Sequence, residues 1–169
     1  ANIVAGSSGI FLHDRGLGFS LEPGHPAEYR AGKRPPHTLA PALVTHRDGR
    51  LRTVLGTMGG DAQPQIVLQM LASLLLFDQD PGRAVGRGRW RIASDSGFDT
   101  WRPDVSRRVE LEEHVPQEVA EGLTARGHRI AEVEAGSAFG HAHAIEVTEH
   151  GTVAGAADPR ALTGGAFGF

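Results

Sequence analysis

The stretch VLGTMGGDAQPQIVLQMLASLLLF, residues 54–77, joins a β-rich run to a long apolar segment through the adjacent glycines Gly59 and Gly60. Asp61 follows at the position of a helix N-cap, and Pro64 is a residue that the first turn of a helix tolerates. The stretch therefore predicts a strand, a tight turn and a helix that is buried on most of its sides. The apolar residues recur at helical spacing: Val67, Met70, Leu71, Leu74 and Phe77, widened by Leu68, Leu75 and Leu76.

On the N-terminal side of this stretch, the pattern predicts a strand, a long loop and a hairpin. Residues 10–13 form a short β-rich run, whereas residues 14–36 contain several Gly and Pro and show no hydrophobic period. A loop of that length inside a compact chain is usually functional. Two β-rich runs within residues 42–57 flank Arg47-Asp48-Gly49, and the Asp-Gly pair supplies the turn chemistry of a β-hairpin.

On the C-terminal side, the first regular pattern is a brief strand at Val109–Leu111. Residues 116–126 are amphipathic at helical spacing, with Val119 and Leu123 on the inward side. Gly127 stands where the left-handed C-cap of such a helix belongs.

Residues 80–104 show no clear period and are expected to be irregular. Three further strands are predicted near the end of the chain: residues 128–135, 141–148 and 151–158. Helices and strands are segregated along the sequence rather than alternating. This order favours the α+β class, with an antiparallel sheet that carries its helices on one face.

Composition excludes several classes of protein. With 169 residues, 40% of them hydrophobic and 22% charged, the chain is expected to form one globular domain over residues 1–169. The net charge of -3 and the scattered basic residues point away from nucleic acid and from anionic membranes. The absence of cysteine excludes disulfides and thiolate metal sites. The apolar run at residues 71–77 is too short to span a bilayer.

Gly59 and Gly60 admit two interpretations. The glycines allow both amide N–H groups to turn outward beside the positive end of the following helix, where they would stabilise a tetrahedral oxyanion in acyl transfer. Alternatively, they only let the strand pack closely against the helix. Spacing alone leaves both interpretations open.

Other polar residues are weaker candidates. Lys33 and Arg34 would suit a carboxylate, with His37 and Thr38 beside them, but a solvated basic loop stiffened by proline explains the same pattern. Nine histidines are present, yet none stands at a metal-ligand spacing with a second ligand. No metal site and no cofactor are therefore expected. No motif of a serine nucleophile is present either.

Four segments together resemble the small, C-terminal subunit of the gamma-glutamyltransferase family. They are AGKRPPHTLAPALV, GTMGGDAQPQIVLQML, LTARGHRIAEV and GTVAGAADPRALTGGAFGF, and they run in order over essentially the whole chain. The resemblance implies an N-terminal-nucleophile hydrolase with a four-layer αββα sandwich, of which this chain supplies part. It also implies a precursor that cuts itself into two subunits, so the large subunit from the same precursor is an expected partner.

The resemblance implies roles for specific residues. Gly59 and Gly60 match the diglycine whose amides form the family's oxyanion hole. His37 and Thr38 match two serines that hold the substrate carboxylate. The nucleophilic threonine is expected upstream of Ala1, outside this sequence. The sequence departs from the family in the loop that holds the substrate amine. Arg15 stands where the family has the first polar group of that loop, and Gly18 stands where the family has an aspartate.

These departures predict an acyl donor that lacks the glutamate amine. Arg15 would repel an ammonium group and attract an acid, which suits glutaryl or oxalyl amides better than glutathione. The expected activity is amide hydrolysis or acyl transfer, as in gamma-glutamyltransferases or in the cephalosporin acylase and oxamate amidohydrolase branches. A catalytically silent binding or scaffold homologue is the alternative of another class. Localisation stays open.

Overall fold

The structure is a computed structural model that describes residues 3–95, 100, 102–136 and 139–168. The chain divides into two compact units, residues 1–38 and residues 39–169. Within these described ranges, every strand and α-helix belongs to the second unit, in this order: β1 (Ala42–Thr45), β2 (Leu51–Thr57), α1 (Ala62–Leu75), α2 (Pro81–Gly86), β3 (Trp90–Ser94), β4 (Arg107–Glu112), α3 (Gln117–Ala125), β5 (Ile130–Val133), β6 (Ala142–Val147) and β7 (Val153–Ala157).

The first unit has little regular structure. A 3₁₀-helix spans Arg15–Gly18, and an isolated bridge joins Val4 to Phe11. The strand predicted at residues 10–13 is wrong, because within the described residues this segment makes only that bridge. The turn at residues 6–8 folds the segment straight back onto the preceding residues, which leaves too few pairs for a ladder.

The larger sheet of the second unit has the strand order β1-β2-β6-β7, and each neighbouring pair is antiparallel. The predicted hairpin at residues 42–57 is confirmed. His46 N donates to Arg50 O at 2.8 Å to close its turn. Gly49 has a φ of +86°, the left-handed conformation for which Asp-Gly was expected.

The smaller sheet has the order β3-β4-β5 and corrects two expectations. Residues 80–104 are not irregular, since α2 and β3 lie within them. Asp80 Oδ1 caps α2 by accepting from Arg83 N at 2.9 Å, and Pro81 is its first residue. The strands do not form one antiparallel sheet either. The helix α3 carries the chain back over the sheet, so β5 pairs with β4 in parallel.

The hydrophobic core lies between α1, α2 and one face of the larger sheet. This segregation of helices to one face of an antiparallel sheet confirms the predicted α+β class. The core residues come from both helices, from β2 and β6 and from the segment before β6: Leu55, Ala62, Ile66, Val67, Met70, Leu74, Ala84, Val85, Phe139, Ala142 and Ala144.

Within the described ranges, no helix is both long and apolar enough to cross a bilayer.

The helix α1 was predicted correctly in position but not in burial. Leu68 is 60% exposed because it faces away from the sheet, and Leu76 and Phe77 are 77% and 66% exposed because the helix has already ended. Asp61 has helical backbone angles and makes no capping hydrogen bond with its side chain. The predicted cap is therefore wrong, since an N-cap residue needs a non-helical backbone.

The position of the helix α3 was also predicted correctly. Gly127 has a φ of +86° and donates to Thr124 O at 2.9 Å, which confirms the predicted C-cap. Leu123 is half-buried, but Val119 is 41% exposed and does not point inward. The packing of α3 is therefore less complete than its amphipathic pattern suggested.

A buried ion network joins the two sheets at Arg89, Glu112, Asp158 and Arg160. Arg89 Nη2 donates to Glu112 Oε1 at 2.7 Å, and Arg89 Nη1 donates to Asp158 Oδ2 at 3.1 Å. Arg160 Nη1 donates to the other oxygen of Asp158 at 3.0 Å. Both carboxylates have no exposed side-chain surface. Each buried charge is therefore matched by an opposite one, as burial in a medium of low dielectric requires.

We expect this network to make the stability of the protein sensitive to acid. Burial alone would raise the pKa of Glu112, but hydrogen bonds from Arg89 and from Gly136 N outweigh it and hold the pKa below its ordinary value. The pKa of Asp158 is lowered in the same way by Ala142 N, Arg160 and Arg89. A lowered pKa in the folded state gives stability that is complete at neutral pH and is lost as the pH falls below about 4.

Urea titrations between pH 7 and pH 3 test this expectation. The Glu112→Gln variant should be destabilised at pH 7 and should lose less further stability in acid. Glu113 lies next to it with a 56% exposed side chain, so Glu113→Gln is the matched control and should behave like the unsubstituted protein. An unchanged acid dependence in Glu112→Gln would contradict the assignment.

Candidate functional site

The diglycine connects β2 to α1 in the second unit. Gly59 has a φ of +128° and Gly60 a φ of +57°, conformations that residues with a side chain rarely adopt. Their carbonyl groups accept the first hydrogen bonds of the helix, from Ala62 N and Gln63 N, both at 3.1 Å. The pair of glycines is thus needed for the turn itself.

Among the described residues, none accepts a hydrogen bond from the amides of the diglycine. β2 ends at Thr57, so sheet pairing does not reach them. Across the described residues, neither Gly59 N nor Gly60 N donates a hydrogen bond to another protein group. Two consecutive N–H groups at the N-terminal end of a 14-residue helix can stabilise a negative charge.

The segment before β6 packs against the diglycine. A Cβ built on Gly59 would lie 3.2 Å from both the carbonyl carbon and the carbonyl oxygen of Phe139. Phe139 itself is completely buried, with the guanidinium carbon of Arg89 5.5 Å from its ring centroid. The conformation of the diglycine therefore depends on residues about eighty positions further along the chain.

Arg15 and Thr38 lie together in the first unit. Arg15 Nη1 donates to Thr38 Oγ1 at 3.1 Å, and both residues are half-buried. The structure thus brings together two of the three residues predicted to orient the substrate. His37, the third, is exposed. A guanidinium beside a hydroxyl is a pair of groups suited to a carboxylate.

The basic residues of the neighbouring loop are exposed. Lys33 Nζ donates to Pro26 O at 2.5 Å, so its ammonium group ties the loop to an earlier turn. Arg34 is exposed to solvent. The interpretation of this segment as a solvated basic loop therefore agrees with the positions of both side chains.

Two residues near the diglycine were missed by the sequence analysis. Gln63 is 3% exposed, and its Oε1 accepts from Ala40 N at 3.0 Å, which ties residue 40 to the first turn of α1. Arg89 was not singled out from the sequence, but it is the centre of the ion network. No local signal separates Gln63 from Gln65 and Gln69, the other glutamines of α1, and nothing local marks Arg89.

The histidines do not form a metal centre in the part of the chain that the structure describes. No group of three or more His, Asp or Glu side chains there is arranged to hold an ion. His141 and His143 lie two residues apart, and His143 is on the open face of the larger sheet.

The chain is similar to known proteins in sequence and in fold. A model of the gamma-glutamyltranspeptidase family matches residues 1–168. The chain is 34% identical to the oxamate amidohydrolase proenzyme of Klebsiella pneumoniae, over 100% of this chain and 31% of that protein. The chain thus spans less than a third of the length of this curated relative.

Two solved structures have a similar fold. Cephalosporin acylase from Bacillus halodurans has a TM-score of 0.76 and is 32% identical, covering 90% of this chain and 26% of that chain. Gamma-glutamyltranspeptidase from Pseudomonas nitroreducens complexed with L-DON also has a TM-score of 0.76 and is 26% identical, covering 99% of this chain and 86% of that chain.

Proposed function

The chain belongs to the gamma-glutamyltranspeptidase family and supplies part of its N-terminal-nucleophile hydrolase fold, and we propose that it is the small-subunit part of an amide-cleaving enzyme. In the proposed reaction, an N-terminal threonine outside this sequence attacks the amide carbonyl and expels the amine. The resulting acyl-enzyme then passes its acyl group to water or to another amine. The observation that carries the proposal is the pair of amides at Gly59 and Gly60, for which the described part of the chain supplies no acceptor.

Gly59 N and Gly60 N are the proposed oxyanion hole. When the threonine oxygen adds to the carbonyl carbon, the carbonyl oxygen becomes an alkoxide, and two N–H donors held in place stabilise it without reorganisation. The N-terminal end of α1, which begins at Ala62, adds partial positive charge next to the diglycine. Of the two interpretations that the sequence leaves open for Gly59 and Gly60, stabilisation of an oxyanion is therefore preferred to close packing of strand and helix alone.

Arg15, Thr38 and His37 are the proposed acyl-binding residues. The guanidinium of Arg15 and the hydroxyl of Thr38 are 3.1 Å apart, so one carboxylate can bind both groups. A substrate ammonium group, by contrast, would meet a positive charge at Arg15 and no carboxylate at Gly18. We therefore propose a glutaryl-like or oxalyl-like amide as the acyl donor rather than a gamma-glutamyl amide.

The large subunit from the same precursor is the proposed partner. Alternation along the strands leaves apolar side chains on the sheet face opposite α1 and α2, and Leu43, Ile145 and Val153 are 65%, 46% and 63% exposed there. A second sheet packed on this face would complete the αββα layers and remove that apolar surface from water. The oxamate amidohydrolase relative is likewise a proenzyme.

The proposal is tested on the purified protein expressed from its full precursor. Intact mass and N-terminal sequencing should find a subunit that begins with threonine upstream of Ala1. Release assays should then give a kcat/KM at least about tenfold higher for glutaryl or oxalyl anilides than for the gamma-glutamyl anilide. A processed protein that cleaves none of these amides would contradict the proposal and favour the silent homologue. A preference for the gamma-glutamyl anilide would overturn the role of Arg15.

We expect Gly18→Asp to shift this selectivity toward the gamma-glutamyl donor. A Cβ at Gly18 would lie 3.4 Å from Pro36 Cδ, which is ordinary van der Waals contact, so a side chain fits. The new carboxylate would pair with the substrate ammonium group and raise the ratio of kcat/KM values by about tenfold. Gly16 lies in the same 3₁₀-helix with open space around it, so Gly16→Asp is the control for added charge. Equal shifts in both variants would contradict a specific site at Gly18.

A further inference from the structure

The peptide between Met58 and Gly59 lies directly against Gly140. A Cβ built on Gly140 would be 2.0 Å from Met58 O and 2.3 Å from the carbonyl carbon of Met58, far inside contact distance. Gly140 also has a φ of +64°, which favours glycine. No residue with a side chain can occupy position 140 unless the Met58–Gly59 peptide moves.

The position of the Met58 carbonyl sets the direction of the Gly59 amide. Both groups belong to one planar trans peptide, so they point in opposite directions and rotate together. The Thr57 hydroxyl donates to Met58 O at 2.8 Å. Contact with Gly140 and the hydrogen bond from Thr57 therefore hold the carbonyl, and through the carbonyl they hold the N–H of Gly59.

Gly140 is in turn held by the buried ion network. Arg89 Nη1 donates to Gly140 O at 3.0 Å, and the same nitrogen donates to Asp158 Oδ2. The Nε and Nη2 atoms of Arg89 donate to the two carboxylate oxygens of Glu112, at 3.0 and 2.7 Å. With its guanidinium bound on three sides, Arg89 gives the carbonyl of Gly140 a fixed donor.

We propose that Gly140 is a positioning residue for the oxyanion hole, a role that rests on the function proposed above for Gly59 and Gly60. Its bare Cα lets the Met58–Gly59 peptide take the orientation in which the Gly59 N–H points at the developing oxyanion, and Arg89 keeps it there. An oxyanion donor acts mainly in the transition state, so a rotated peptide lowers kcat and leaves KM nearly unchanged.

The test compares Gly140→Ala with Gly127→Ala in the mature enzyme, using the anilide that it cleaves best. Gly127 has a φ of +86° and no atom within 4 Å of a built Cβ, so it matches the backbone strain without the contact. Counting competent sites by active-site titration, we expect Gly140→Ala to lower kcat by about 100-fold with KM within about threefold. Gly127→Ala should change neither constant by more than about twofold.

A boronic acid with the same acyl chain gives a second readout. It forms a tetrahedral adduct with the threonine hydroxyl and so reports transition-state binding. Its inhibition constant should rise in Gly140→Ala by the same factor as kcat falls, a correlation that a merely destabilised fold does not produce. If Gly140→Ala does not mature, Thr57→Val is the deciding variant, because it deletes the hydroxyl that lies 2.8 Å from Met58 O and 3.5 Å from Phe139 O. This variant should lower kcat by about five- to tenfold.

The outcomes separate this inference from the proposed function. An ester in place of the Gly60 amide deletes that N–H and reports on the oxyanion hole alone. If this ester variant is slow while Gly140→Ala and Thr57→Val keep kcat within about twofold, the positioning role is wrong and the oxyanion hole stands. If a raised KM accounts for the loss in Gly140→Ala, the positioning role is also wrong. If the ester variant is as fast as the unsubstituted enzyme, the oxyanion hole itself is wrong.

Discussion

An ester in place of the Gly60 amide is expected to lower kcat by at least about 100-fold, with little change in KM. The substitution of glycolic acid at position 60, by nonsense suppression or ligation, replaces one N–H by an oxygen and leaves the rest of the chain intact. Removal of one of two oxyanion donors takes away stabilisation that exists mainly in the transition state. The measurement is steady-state turnover of the preferred anilide by the mature enzyme.

The ester is a cleaner test than a proline substitution. Proline also removes the N–H, but its ring holds φ near -65°, whereas Gly60 has a φ of +57°. The matched control is an ester at Gly127, whose N–H donates to Thr124 O at 2.9 Å within the C-cap of α3. That ester should lower thermal stability and leave kcat unchanged. Equal turnover in the Gly60 ester and the unsubstituted enzyme would refute the oxyanion role.

The second large effect is expected in stability. Arg89→Met should lower the free energy of unfolding by about 3–5 kcal/mol, because it leaves the buried carboxylates of Glu112 and Asp158 without one of their two cations. The methionine replaces the volume of the side chain but none of its hydrogen bonds. Urea unfolding followed by far-UV circular dichroism measures the loss.

The exposed ion pair of Arg50 and Asp48 provides the control. Their side chains are 63% and 54% exposed, so Arg50→Met should change the free energy of unfolding by less than about 0.5 kcal/mol. The double variant Arg89→Met/Glu112→Gln lacks one of the unpaired charges. Its loss of unfolding free energy should therefore be smaller than the sum of the losses in the two single variants. A loss below about 1 kcal/mol in Arg89→Met would show that the network is not a main source of stability.

The predictions that succeeded depend on neighbours in sequence. The hairpin at residues 42–57 follows from its Asp-Gly turn, the helix α1 from its apolar spacing, and the C-cap at Gly127 from a glycine after an amphipathic run. Each of these signals lies within a few residues of the structure that it predicts. The burial of α1 failed at Leu68 and Phe77 because spacing shows that a face is apolar and not which protein surface covers it.

Only part of the candidate site could be predicted from the sequence. Gly59 and Gly60 stood out because two adjacent glycines between a strand and a helix are locally unusual, and Arg15 and Thr38 stood out through a family resemblance. The positions of β2 and α1 were needed to show whether the fold uses the two amides. The distance between Arg15 and Thr38 likewise required a folded chain, since 23 residues separate them.

By itself, the sequence determined the local elements, the family and the α+β class, because propensity, capping and hydrophobic period act over one or two turns of chain. Tertiary structure alone decided the pairing of β5 with β4, the network around Arg89 and the contact of Gly140 with Met58. The residues in these contacts are separated by tens of positions in the sequence. The same backbone and side-chain hydrogen-bonding groups could pair with many different partners elsewhere in the chain. Only packing around a common core selects among those pairings.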